Sequence, residues 1–228
     1  MDTLLLHGLG ATGAVWDGLT DRLDDAWLAP DLPGHGGSAR LHRYSFGGMA
    51  AAIADNLPMS GPLVVVGHSL GGVVALTLAS GWFGVEVAGV VALGVKVEWS
   101  EDDLARVAAM AEQPARVFAT RDEAERAYVK LSGLPRADPA GVAETEDGWT
   151  LAMDLRAFAA GAPDMPALLA AARCPVVLAT GEHDPMSRPE HLRALRDDAV
   201  TLTGLGHNAH VEDPSALLPL LARVYSAR

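Results

Sequence analysis

The chain has 228 residues, half of them hydrophobic, which is enough for one domain with a large core. Its formal net charge of −12 argues against nucleic acid or an anionic membrane surface as a partner. The single cysteine, Cys174, excludes an intrachain disulfide, and the first residues lack the basic start of a signal peptide, so we expect a cytoplasmic protein.

The N-terminal half alternates short apolar runs with helical segments. Each apolar run is typical of a buried strand, and the alternation predicts a parallel α/β sheet with helices on both faces. Functional side chains in such sheets lie at the carboxyl ends of the strands. The predicted strands are residues 3–7, 27–30, 62–66 and 87–93, and the predicted helices are residues 14–23, 45–57 and 70–80.

Residues 56–85 contain no charged side chain and are long enough to suggest a membrane span. Two prolines and the glycines of residues 67–72 interrupt this stretch. A strand and a helix that are both buried in an α/β core explain it better, so we predict no membrane association.

The alternation breaks between residues 97 and 166, where the sequence becomes more polar and helical in pattern. Ser100 is a predicted N-cap, with Asp103 in the capping-box position. We interpret residues 97–166 as a helical lid that is inserted into a core formed by residues 1–96 and 167–228. Within this lid segment we predict helices after Ser100 and over residues 121–131 and 149–160, and a loop over residues 135–148.

The α/β pattern returns after the lid segment. The apolar runs are again short and are followed by loops rich in glycine and charged residues. The predicted strands here are residues 175–179 and 200–202, and the predicted helices are residues 189–196 and 215–225.

Residues 67–71, Gly-His-Ser-Leu-Gly, fit the G-x-S-x-G pattern of a nucleophile elbow between a strand and a helix. A turn this sharp forces its apex residue into strained backbone angles and brings the two flanking positions together, so both must be glycine. Ser69 is then held out at the sheet edge, and the Leu70 amide is free at a helix N-terminus. The alternative is a strand–helix turn in which these residues serve only close packing.

A serine nucleophile needs a base, and the base needs a carboxylate that fixes its tautomer. His207 follows the last strand in a glycine-flanked loop and is the predicted base, with His210 as its rival. Asp184 follows the strand of residues 175–179 and is the predicted acid, with Glu98 as its competitor. Both carboxylates follow strands at the same edge of the predicted sheet.

Five segments of the sequence resemble the α/β-hydrolase superfamily, in particular short serine esterases and C–C hydrolases. They are distributed over the whole chain apart from the lid segment, and they place the serine, aspartate and histidine in the order of that family. The segments are residues 7–10, 31–36, 67–71 and 181–184, and residues 206–207 together with 212–214.

This resemblance implies an α/β-hydrolase fold with a mostly parallel sheet. In a departure from that family, we expect the sheet to be shortened at its N-terminal end. The resemblance implies that Ser69 is the nucleophile, His207 the base and Asp184 the acid. The backbone amides of Leu9 and Leu70 would form the oxyanion hole, and no cofactor is required.

Other residues near these segments are assigned supporting roles. Asp31 and His35 are expected to organise a loop beside the site, and His7 to support the oxyanion loop through a hydrogen bond. A zinc site is the weaker interpretation of the histidines, because the spacing of His207 and His210 does not match a helical zinc pair, and we predict no metal. The candidate pocket residues are His68, Trp149, Met153 and Phe158.

The sequence therefore predicts a serine hydrolase that acts on a small-molecule acyl substrate, most simply a carboxylic ester. Amide, lactone, thioester or C–C cleavage and acyl transfer are alternatives on the same residues, because one fold supports many chemistries. A ligand-binding or signalling protein of this fold with little turnover is an alternative of another class. The oligomeric state, monomer or homodimer, stays open.

Overall fold

The computed structural model describes residues 1–58 and 61–226. Six strands form one sheet in which every pairing is parallel, and two further strands form a separate antiparallel hairpin. The strands are β1 (Thr3–Leu6), β2 (Trp27–Leu28), β3 (Leu63–His68), β4 (Val87–Leu93), β5 (Val142–Thr145), β6 (Gly148–Leu151), β7 (Val176–Gly181) and β8 (Val200–Leu202).

Helices of very different length connect these strands, and short 3₁₀ turns precede some of them. The longest two, α4 and α5 in the following list, both lie in the lid segment. The helices are α1 (Asp17–Thr20), α2 (Phe46–Asp55), α3 (Leu70–Leu78), α4 (Glu101–Ala111), α5 (Arg121–Ser132), α6 (Met165–Ala171), α7 (Pro189–Leu195), α8 (Ala209–Glu212) and α9 (Leu218–Ser226).

The main sheet has the strand order β2-β1-β3-β4-β7-β8, so β3 lies in its interior. Successive side chains of a strand point to opposite faces, and β3 shows this directly. Leu63 and Val65 belong to a core cluster with residues of α2, α3 and α7. Val64 and Val66 belong to a second cluster with residues of α1 and α9. The predicted parallel sheet with helices on both faces is confirmed.

The capping prediction for the first lid helix is also confirmed. The Ser100 hydroxyl accepts a hydrogen bond from the Asp103 amide at 3.1 Å, and the Asp103 carboxylate accepts one from the Ser100 amide at 3.1 Å. This reciprocal pair satisfies two donors at the start of α4.

Two predictions inside the lid segment are wrong. The predicted loop over residues 135–148 contains β5, and the predicted helix over residues 149–160 begins as β6. Only Leu155–Ala160 is helical there, as a 3₁₀ segment. The missed signal is Asp147-Gly148 between two short runs with β-branched residues, which is a hairpin signature that overrides the helical spacing of the apolar residues.

One further helix was not predicted. Met165–Ala171 forms α6, whose Met165 side chain is buried in the same core cluster as α3. The boundary predicted at residue 166 therefore falls inside a helix. Within the described ranges, no helix is long and apolar enough to cross a membrane.

Candidate active site

Ser69 lies at the sharp turn between β3 and α3, at the carboxyl edge of the sheet. Its backbone angles are φ 50° and ψ −114°, and it is the single non-glycine residue with positive φ in the described part of the chain. A Cβ on Gly67 would overlap the Gly71 carbonyl, and a Cβ on Gly71 would overlap the Leu6 carbonyl. The strained turn therefore requires both glycines, and such strain is typical of functional sites.

His207 and Asp184 come together from two different loops, although 23 residues separate them in the sequence. The distance between His207 Nδ1 and Asp184 Oδ2 is 2.7 Å. Asp184 Oδ1 accepts hydrogen bonds from the Met186 amide at 2.8 Å and the Ser187 amide at 2.9 Å. The buried carboxylate is therefore fixed by the backbone, and it holds the proton of His207 on Nδ1, which leaves Nε2 able to accept a proton.

Ser69 and His207 line the same cavity. Within the described residues, the Ser69 hydroxyl has no hydrogen-bond partner at 3.5 Å or less. Catalytic hydrogen bonds are often long without substrate and tighten in the substrate complex. The arrangement thus brings a strained serine and an oriented imidazole to one cavity.

The two rival residues occupy other environments. Glu98 lies 3.3 Å from His191 and pairs with it. His210 is fully buried and stacks on Trp16 and His68, with ring centroids 4.6 and 4.2 Å apart. Neither ring nitrogen of His210 has a hydrogen-bond partner among the described residues.

The candidate oxyanion donors are the amides of Leu9 and Leu70. Leu70 is the first residue of α3, where an amide has no partner within the helix, and Leu9 follows β1 in a turn. Neither amide donates to a protein acceptor in the described residues. Both residues line the smaller of two cavities beside Ser69, as their candidate role requires.

His7 connects the oxyanion loop to the next loop, as predicted. Its Nδ1–H donates to the Gly8 carbonyl at 2.7 Å, and its Nε2 accepts from the Leu32 amide at 2.8 Å. Complete burial, together with the neighbouring His35, lowers the pKa of His7 to about 3. His7 is therefore a neutral imidazole with a fixed tautomer at neutral pH.

The structure also confirms that Asp31 and His35 organise the loop after β2. Asp31 accepts hydrogen bonds from the Gly13 amide at 2.8 Å and the Gly37 amide at 2.9 Å. The His35 ring donates to the Pro33 carbonyl at 3.2 Å. These contacts hold the loop next to the oxyanion turn.

His68 lies at the wall of the larger cavity, next to Ser69. Its Nε2–H donates to the His207 carbonyl at 2.9 Å, and burial, the first of several causes, holds the pKa of His68 well below its ordinary value. A Cβ on Gly8 would lie only 2.7 Å from its Nδ1. His68 thus packs between the oxyanion turn and the loop that carries His207.

Two cavities meet at Ser69, one of about 90 Å³ and one of about 270 Å³. Of the predicted pocket residues, Phe158 lines both cavities and His68 lines the larger one. The other two lie elsewhere. Trp149 pairs with Phe118 in a β-bridge, and Met153 pairs with His35 and is buried.

Sequence reasoning missed several cavity residues. Lys96 and Trp99 line both cavities, and Arg106 lines the larger one. Lys96 and Trp99 follow β4. Because functional side chains of a parallel sheet lie after the carboxyl ends of its strands, this position could have indicated both residues from the sequence. In the described chain, no group of three or more histidine, cysteine or acidic side chains is arranged to hold a metal ion.

A family model described as the alpha/beta hydrolase family matches residues 3–220. A 2-succinyl-6-hydroxy-2,4-cyclohexadiene-1-carboxylate synthase of Klebsiella pneumoniae (strain 342) is 30% identical over 238 residues, covering 98% of this chain and 93% of that protein. A pimeloyl-(acyl-carrier protein) methyl ester esterase of Vibrio vulnificus (strain YJ016) is 41% identical over 80 residues, covering 34% of this chain and 31% of that protein.

A solved structure of E-2-(acetamidomethylene)succinate hydrolase superposes with a TM-score of 0.81 at 23% identity, covering 100% of this chain and 92% of that chain. At this identity the likeness shows the fold alone. The family match over almost the whole chain agrees with the strained elbow and with the order of Ser69, Asp184 and His207. The chain belongs to the alpha/beta hydrolase family.

Proposed function

We propose that the protein is a serine hydrolase that cleaves a carboxylic ester of a small acyl group. The observation that carries this proposal is the strained Ser69, which faces the same cavity as His207, whose Nδ1 is held by Asp184. The esterase name of the Vibrio vulnificus relative supports an ester as the substrate.

The proposed reaction begins when the Ser69 oxygen attacks the ester carbonyl and its proton moves to Nε2 of His207. The amides of Leu9 and Leu70 stabilise the negative charge on the carbonyl oxygen, a contribution of about 3 kcal/mol per donor. The C–O bond to the alcohol then breaks, and His207 returns the proton to the leaving oxygen. Asp184 stabilises the imidazolium throughout the step.

Water completes the cycle. His207 accepts a proton from water as the water oxygen attacks the acyl-enzyme carbonyl, and the bond to Ser69 breaks as its oxygen takes that proton back. One ester and one water thus give one acid and one alcohol. Amide, lactone, thioester or C–C cleavage and acyl transfer use the same residues, and a substrate panel separates them.

Labelling with a fluorophosphonate, followed by peptide mass mapping, tests the proposal. We expect a stoichiometric adduct on Ser69 that is lost in Ser69→Ala and strongly slowed in His207→Ala. Ser132→Ala is the matched control, because Ser132 also lines the larger cavity but its hydroxyl donates to the Tyr128 carbonyl at 2.9 Å.

Absence of an adduct on folded protein, or an adduct on another residue, would overturn the proposed mechanism. Tight binding of a ligand without turnover would then favour the ligand-binding alternative. Unchanged hydrolysis of 4-nitrophenyl butyrate by Ser69→Ala would also overturn the proposed role of Ser69 as the nucleophile.

A further inference from the structure

The two cavities that meet at Ser69 differ in size and in the residues that line only one of them. The smaller, about 90 Å³, is bounded on its own side by Phe46, Val73 and Ala157, which are all apolar. The larger, about 270 Å³, contains His207 and is also bounded by the polar side chains of Arg106 and Asn208. Ser69 therefore stands between a small cavity and a larger one whose mainly apolar wall also carries His207 and the charged side chain of Arg106.

The chemistry of the proposed function determines which part of an ester enters which cavity. His207 must protonate the leaving oxygen, so the leaving group lies on the side of His207. His207 borders the larger cavity and not the smaller one. The acyl group therefore occupies the small apolar cavity, which accommodates a short chain.

Some charged side chains on the wall of the larger cavity form an ion pair, and one does not. Lys96 lies 2.8 Å from Asp103, so the two charges offset each other. Asp103 is held in turn by the Ser100 amide at the start of α4. Arg106 follows Asp103 by three residues on the same helix and has no ion pair within the described residues. Its guanidinium is the uncompensated charge on that wall.

An unpaired arginine on the wall of a binding cavity is suited to a carboxylate or a phosphate. The guanidinium presents a planar set of donors that matches the oxygen atoms of both anions. The chain as a whole carries a net charge of −12, so the unpaired cation at this cavity runs against the general charge of the protein. The overall charge therefore does not attract an anion, and an anionic group at this cavity would be held by direct contact with the guanidinium.

We infer that the site takes esters of a short apolar acyl group whose leaving group carries a carboxylate or phosphate, and that Arg106 binds this anionic group. The inference rests on the proposed serine hydrolase function, because it uses His207 to orient the leaving group. Arg106 is then a specificity residue, and it takes no part in the bond-breaking steps.

The test measures kcat/KM for three butyrate esters that share the acyl group and differ in the leaving group. The leaving groups are 4-carboxyphenol and 4-phosphonophenol, which are anionic, and 4-carbamoylphenol, which is neutral. We expect the anionic-to-neutral ratio to fall about fivefold in Arg106→Gln, the upper range for an exposed ion pair. Arg106→Lys should restore part of this ratio. A comparison of the two anionic esters shows whether the carboxylate or the phosphonate is preferred.

Arg126→Gln is the matched control, because Arg126 is an exposed arginine of the lid segment that lines neither cavity beside Ser69. This variant should keep all three kcat/KM values. The anionic preference of the wild type should also weaken between about 20 mM and about 500 mM salt, because ions screen exposed charges. A series of 4-carboxyphenyl esters with longer acyl chains should show falling kcat/KM.

Equal hydrolysis of the anionic and neutral esters by the wild type would overturn the inference alone. An equal loss for all three esters in Arg106→Gln would show a structural role and would also overturn it. Absence of hydrolysis of every ester, together with absence of a fluorophosphonate adduct, would instead overturn the proposed function on which the inference rests.

Discussion

The carboxyl edge of the sheet and the lid segment hold their residues in different ways. At the edge, backbone groups position the candidate residues: the Ser69 amide donates to the Leu93 carbonyl at 2.8 Å, and two amides hold Asp184. In the lid segment, α4 buries none of its residues, yet it supplies Arg106 to the larger cavity. The edge is determined by close packing, whereas α4 has no buried residue, so its side chains can change without disturbing the core.

Polar contacts join the two regions, in addition to the buried side chains of Met153 and Ala157, which belong to the main core cluster. The Tyr44 hydroxyl donates to Asp154 at 2.9 Å, and the Gly36 amide donates to the Ala152 carbonyl at 2.7 Å. The Asn208 side chain, next to the candidate base, donates to the Gly133 carbonyl at 3.0 Å. The comparison therefore predicts large effects on reaction rate or folding at the edge, and small, local effects at α4 and at the single polar contacts of the lid segment.

The largest effect is expected at Asp184. Asp184→Asn should lower kcat by about 10⁴-fold, because the amide no longer holds the proton of His207 on Nδ1. Glu98→Gln is the control and should change kcat by less than about twofold, since the exposed Glu98 pairs with His191. Steady-state kinetics with a butyrate ester measures both. The reverse pattern would reassign the acid.

The next effect concerns folding at the elbow. Gly71→Ala should lower the free energy of unfolding by about 4 kcal/mol or more, because its Cβ would overlap the Leu6 carbonyl. Gly47→Ala in α2 is the matched control. No atom lies within 4 Å of the position of its Cβ, so this variant should be about 0.5–1 kcal/mol more stable. Urea denaturation compares them, and equal stability would remove the packing argument for the elbow.

A smaller effect is expected where the lid segment meets the core. Tyr44→Phe removes the hydroxyl that reaches Asp154, a contact with a net value of about 1 kcal/mol. Amide exchange around residues 152–156 should then become about fivefold faster. Tyr225→Phe removes a hydroxyl contact with Thr3 in the core at 3.0 Å, and should leave that exchange unchanged. Equal exchange in both variants would contradict a role of Tyr44 in holding the lid.

A further effect is a change in acid sensitivity. Burial, aided by the nearby His207, lowers the pKa of His210 to about 3, whereas in the unfolded chain it is about 6.5. Between these values the unfolded state binds the extra proton, so stability is lost as pH falls below 6.5 and is unaffected above it. His210→Phe keeps the ring stacking and should flatten this slope by about 1.4 kcal/mol per pH unit.

Urea denaturation at several pH values measures this slope. His7→Phe is the comparison. The pKa of His7 is also lowered to about 3 by burial, but the His7 ring makes two hydrogen bonds. That variant should lose stability at every pH, since the Leu32 amide and the Gly8 carbonyl lose their partner. An unchanged slope in His210→Phe would show that this histidine takes up its proton in the folded state.

Much of the core could be predicted from the sequence because its signals are local. Short apolar runs and their spacing predicted the strands of the parallel sheet, and the glycines around Ser69 predicted the elbow. The lid segment was predicted less well. Its apolar residues fit helical spacing, but the Asp147-Gly148 turn and the pairing of Val142 with Leu151 produce a hairpin. A short strand depends on its partner, which local periodicity does not reveal.

The sequence by itself determined the alternating strands and helices, the serine at a glycine-flanked turn, and the candidate acid and base at strand ends. These features follow from hydrophobic periodicity and from steric limits on the backbone, which act over a few residues. Only the tertiary structure showed that Asp184 lies against His207 while Glu98 lies beside His191, removed Trp149 and Met153 from the cavity walls, and placed Arg106 there. Those outcomes depend on side chains that are distant in the sequence and become neighbours only when the helices pack on the sheet.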